Sequence, residues 1–93
     1  MNAKQQQLAR ITALLEQHTQ RATYGAVGGI VGLPAQSVMS GQMKMPRNSW
    51  VVSTTTKRPT GYSPQECHPL LARNAEVIRD TETLRAWLDR HGW

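Results

Sequence analysis

The feature that most limits this chain is the glycine and proline punctuation between Thr23 and Pro46. Gly25, Gly28, Gly29, Gly32, Pro34, Gly41 and Pro46 all fall in that stretch. Glycine costs about 1 kcal/mol relative to alanine inside a helix, and proline about 3 kcal/mol. No long helix can cross such a segment. It allows two short helices with a tight turn between them. Thr23 is suited to N-cap the first, which begins at Tyr24 or Gly25, turns Val27, Ile30 and Val31 inward and stops at Gly32. The second begins at Pro34, where a missing N–H does no harm, and Pro46 forbids its continuation. Val38, Met39 and Gln42 set its inner side. The paired glycines Gly28 and Gly29 imply close approach of another backbone, from a packed helix or from nucleic acid.

The flanks supply support. Leu8, Ile11, Leu14 and Leu15 recur at helical spacing, which predicts an N-terminal helix over 3–18 with one apolar stripe. Trp50-Val-Val-Ser-Thr-Thr-Thr56 is the strongest β-prone run, and the Lys57–Gly61 segment that follows reads as a turn. Together they predict a hairpin, or wing, over 49–63. Asp80 or Thr81 caps a last helix over 81–91, whose stripe is Leu84, Trp87 and Leu88, and Gly92 ends it. The expected fold is one domain over 1–93, mainly α with a small β-hairpin, in a winged helix-turn-helix arrangement with its two central helices over 23–45.

Charge is divided unevenly. Lys4, Arg10, Arg21, Lys44, Arg47, Lys57 and Arg58 face a single acid, Glu16, before residue 59. After it, four arginines meet five acids. The basic excess shares its stretch with the central helices, a pattern expected of a surface that neutralises phosphates. No run of apolar residues is long enough for a membrane span, and Met1 to Gln7 is too polar for a secretory signal. The lone cysteine, Cys67, cannot make an internal disulfide and fits a reducing cytosol.

Enzyme chemistry finds little footing. Cys67 and His68 are adjacent, and no second pair has zinc-site spacing, so no metal or other cofactor is expected. Cys67 as a nucleophile is disfavoured, because neighbouring side chains point apart. The glycines match neither glycine-rich nucleotide fingerprint, and no strand is evident before them. What remains is recognition. Gln36, Ser37, Ser40 and Lys44 are placed to reach phosphates and base edges from the second helix. Tyr24 and Trp50 either stack on bases or fill the core.

The order of these residues resembles a known family. Thr23-Tyr24-Gly25, a small-residue helix, Gly32-x-Pro34, a second helix with Gly41, then Val51-Val52 and Gly61-Tyr62-Ser63 resemble the C-terminal domain of the alkylguanine-DNA alkyltransferases. They equally resemble the catalytically dead alkyltransferase-like proteins. Trp87-Leu88 matches a C-terminal helix more loosely. The resemblance implies minor-groove binding by the second helix, with Tyr24 set against the backbone of a flipped nucleotide. It also marks what is missing. Asn48 stands at the acceptor cysteine, Ser49 and Trp50 replace the following histidine and arginine, and Val38 or Met39 stands where the family has its finger arginine.

The sequence therefore predicts a non-enzymatic protein that binds duplex DNA, damaged DNA included. Its contacts are Arg21, Tyr24, Gln36, Ser37, Ser40, Lys44, Arg47, Asn48, Trp50, Lys57 and Arg58. The competing expectation is a small regulator or phage-type inhibitor whose partner is a protein, bound through Met39, Met43, Met45, Trp50 and Trp93.

Overall fold

The computed structural model describes residues 3–93. Three α-helices, α1 (Ala3–Gln17), α2 (Tyr24–Val31) and α3 (Thr81–Arg90), surround three very short strands, β1 (Arg21–Thr23), β2 (Val51–Val52) and β3 (Val77–Ile78). The domain is mainly helical.

Each helix forms for local reasons. In α1, Leu8, Ile11, Thr12 and Leu15 are buried at i, i+3, i+4 and i+7, so one face enters the core. Just beyond the helix, Thr19, with a φ of 52°, turns the chain so that the Gln20 amide bonds the Leu15 carbonyl at 2.9 Å. In α2, Thr23 Oγ1 accepts from the Ala26 amide at 3.2 Å. Gly32, with φ 76°, closes the other end. In α3, the Asp80 carboxylate accepts from the Thr83 amide at 2.8 Å, and Leu84, Trp87 and Leu88 face inward. Lys4 joins two of these helices, since its ammonium donates to the last carbonyls of α2, Val31 at 3.1 Å and Gly32 at 3.0 Å.

The paired glycines serve packing. A Cβ on Gly29 would collide with the Thr81 side chain, and one on Gly28 would meet the Leu33 carbonyl and Val38. Gly29 thus lets α3 approach, and Gly28 the turn that follows α2.

The expected hairpin is not present among the described residues. Val51–Val52 pairs in parallel with β1 (Ala22 with Val51, Thr23 with Val52), and β3 pairs in parallel on the other side (Arg21 with Val77, Ala22 with Ile78). Lys57 ends the β-prone run early. Its φ of 61° folds residues 53–58 into a loop closed by Ser53 N–H to Arg58 O (3.0 Å) and Lys57 N–H to Ser53 O (2.8 Å). A parallel pair also needs a long crossover, so the Lys57–Gly61 turn does not join two strands. β1 supplies the strand that was not evident before the glycines.

The second short helix is also changed. It is a 3₁₀ turn, Ala35–Ser37, followed by further turns, not an α-helix running to residue 45. The Ser37, Val38, Ser40 and Gln42 amides bond carbonyls three residues back, at Pro34, Ala35, Ser37 and Met39. Gly41, at φ 80°, and a second 3₁₀ turn at Pro46–Asn48 complete the break.

The core gathers Leu8, Ile11 and Leu15 of α1, Val27 and Val31 of α2 and Leu84, Trp87 and Leu88 of α3. They pack around Ala22, Trp50, Val51 and Ile78. No helix among the described residues is long and apolar enough to cross a membrane.

Candidate nucleic-acid interface

Tyr24, the first residue of α2, is half-buried, and its hydroxyl accepts from the Thr60 amide at 2.8 Å. It forms one wall of a cleft of about 540 Å³ shared with Ala35, Gln36, Met39, Ser40 and Thr60. Thr23 fixes this wall by capping α2, and the turn after Pro34 supplies the opposite one. Gln36 and Ser40 are exposed, whereas Met39 packs on the core from within. Three of the expected contacts thus meet in one cleft. Ser37 lies beside it, half-buried.

Next to the cleft, residues 41–48 form a pinned loop. The Asn48 side-chain amide donates to the Met43 carbonyl at 2.8 Å. The Tyr62 hydroxyl lies 3.4 Å from the Asn48 carbonyl and 3.5 Å from that of Met43. Burial, and then the neighbouring Tyr24, raise the Tyr62 pKa above the usual tyrosine value of 10.0, so at neutral pH the phenol keeps its proton and donates. Lys44 lies over Gly61, with its ammonium 3.3 Å from where a Cβ would stand. On its other side the loop borders a groove against α1, where Arg47 and Asn48 face Gln5, Ala9, Thr12 and Glu16.

The cations divide into two sets. Lys4 caps α2, and Arg10 donates to the Gly92 carbonyl while covering the Trp93 ring at 4.8 Å. Arg21, expected on the DNA face, is only 7% exposed. Its guanidinium donates to the carbonyls of Lys57 (2.9 Å) and Asn74 (2.8 Å), while its Nε is buried without a partner. Burial, then the charge of Arg58, lower its pKa. It is a structural clamp. Lys44, Arg47, Lys57 and Arg58 are exposed, and among the described residues no acid pairs with them; Glu16 instead lies 4.0 Å from the imidazole of His68.

Trp50 fills the core at 0% exposure, its ring 4.9 Å from that of His68, and it is closed to base stacking. Ser49 is fully buried, donating to the Pro46 carbonyl at 2.6 Å and accepting from the His68 amide at 3.0 Å. Cys67 is a free, half-buried thiol. Of the methionine and tryptophan patch expected for a protein partner, Trp50 is buried, and Trp93 is half-buried with Arg10 over its ring. Thr60, on the cleft, and Tyr62, on the loop, were not identified by composition or periodicity; the Gly61-Tyr62-Ser63 motif was the signal for Tyr62. Among the described residues no group of three or more His, Cys, Asp or Glu side chains is placed to hold a metal ion. No known protein family, curated protein or solved structure matches the chain.

Proposed function

We propose that this protein binds duplex DNA without altering it, as a divergent member of the alkyltransferase-like winged helix-turn-helix group, with a reduced second helix and a loop in place of the wing. The observation that carries the reading is the set of four exposed cations, Lys44, Arg47, Lys57 and Arg58, unpaired among the described residues, of which Lys44 and Arg47 lie on the loop that follows the cleft residue Ser40. Unpaired surface cations displace condensed counterions from phosphates, the main source of duplex affinity. The motif residues also take up roles that fit the resemblance. Thr23 caps α2, Gly32 ends it, Val51–Val52 is a strand, and Tyr62 closes on the loop that carries Asn48. Asn48 and Ser49 at the reactive positions offer no thiolate and no base, and the Ser49 hydroxyl is occupied at both its donor and acceptor sides.

The test is the salt dependence of binding to a fluorescent duplex, plain or carrying an alkylated guanine. Replacing all four cations by glutamine should lower the slope of log affinity against log salt by about 3–4, at roughly 0.9 for each phosphate no longer neutralised. An unchanged slope, or no binding of the intact protein to either duplex at low salt, rejects the reading and favours a protein partner.

A further inference from the structure

We propose that Met43 is a wedge whose side chain enters a base step of the bound duplex. This rests on the DNA-binding reading and names the residue that would deform the DNA.

Among the described residues Met43 is the most exposed large apolar side chain, at 71%, against 40% for Leu70. A single exposed apolar residue is ordinary on a protein surface. This one differs in how its backbone is held. Its carbonyl accepts from the Asn48 side chain at 2.8 Å and faces the Tyr62 hydroxyl at 3.5 Å. The loop enters through Gly41 in the left-handed region and leaves through the Pro46 turn, where the proline ring restricts the chain. Two polar side chains therefore hold the base of a residue whose apolar end makes no use of the core. Fixing the backbone that carries the side chain lowers the entropy lost on insertion.

The surroundings suit a stacked base step. Lys44 and Arg47 follow Met43 in the sequence, exposed and unpaired among the described residues, and so can take phosphates beside the opened step. A thioether is unbranched and polarizable, a shape and softness that suit the gap between two base faces. Apolar wedges of this kind partly unstack a step and kink the duplex by roughly 20–90°. Pyrimidine–purine steps open most readily, so a TA or CA step is the preferred point of entry.

The experiment uses the full chain and a duplex of about two helical turns with a central TA step, end-labelled for energy transfer. A second duplex carries 2-aminopurine beside that step. Wild-type protein should shorten the end-to-end distance and raise the 2-aminopurine emission. Met43→Ala should abolish both and weaken binding by about tenfold. Met43→Leu should retain most of each, and both variants should melt like the wild type because the side chain is exposed. Bending and emission by Met43→Ala equal to wild type would overturn the wedge, while the salt-slope result leaves DNA binding itself standing. Absence of duplex binding by the wild-type protein would overturn both.

Discussion

The Tyr24 hydroxyl and the Thr60 amide, 2.8 Å apart, join the first residue of α2 to the segment carrying Gly61 and Tyr62. Helix, cleft and pinned loop are therefore one mechanical unit, although their residues lie far apart in the chain. Tyr24→Phe removes only the acceptor, and water can replace it at the exposed Thr60 amide. The expected cost is about 0.5–1.5 kcal/mol in urea unfolding. Tyr24→Ala also removes the aromatic wall, and should cost roughly 1–3 kcal/mol of duplex affinity that Tyr24→Phe largely keeps. Equal loss of affinity in the two variants would show that the ring does not touch the DNA.

Arg21 gives a contrasting case among the basic residues. Its guanidinium bridges carbonyls from the loop after β2 and the loop before β3. Arg21→Met should destabilise the fold by about 2–3 kcal/mol, because two carbonyls lose charged partners. The salt slope of DNA binding should not change. A variant with normal stability and a lower slope would return Arg21 to the phosphate-binding set.

Gly29 sets the distance between α2 and α3. Alanine in a solvent-facing helix position gains about 1 kcal/mol over glycine. Here the added methyl would run into Thr81, whose hydroxyl bonds the Ala26 carbonyl at 3.2 Å. Gly29→Ala should therefore destabilise, by about 1–3 kcal/mol. Combined with Thr81→Ala, the cost should fall short of the sum of the two single variants. A stabilised Gly29→Ala would show that the helices separate without penalty.

The end of α3 should respond to acid. The His91 ring stands 4.0 Å from that of His18 and 4.4 Å from that of Trp87. Partial burial, then the charges of His18 and Arg90, lower its pKa below the ordinary 6.5. The folded state thus favours the neutral ring. That contribution to stability is complete above pH 6.5 and is lost as the pH falls through the lowered value. The urea midpoint should drop between pH 8 and pH 5, and His91→Gln should lessen the drop. An identical drop in the variant would assign the effect to other groups.

The helices were legible because their determinants are local. The Leu8, Ile11 and Leu15 stripe and the Thr23 and Asp80 caps each act within about two turns. The sheet was not, because its determinants are distant. Arg21-Ala22-Thr23 shows no alternation, being buried along its whole length, and its neighbours come from residues 51–52 and 77–78. The Trp50–Thr56 run showed β propensity but not direction, and propensity alone cannot choose between a hairpin and a parallel pair. The second helix gave way because serine and glycine between Ala35 and Gly41 are weak helix formers. As for the site, the Tyr24, Gln36 and Ser40 grouping could be read from the motif order. Arg21 could not be told from Lys57 or Arg58 in the sequence, since its burial depends on carbonyls at Lys57 and Asn74.

The parallel sheet also constrains how the chain is made. Ala22, in the central strand, has one neighbour at Val51 and the other at Ile78. Neither pair can start from a tight turn, so each must close a long loop before its pairing repays the chain entropy. On the ribosome, β1 emerges with both edges open, gains its first partner only after the cleft and loop segments have been synthesised, and its second only after Val77–Ile78. The Tyr24 cleft and the hydrophobic core around Ala22 therefore both wait on pairings distant in the chain.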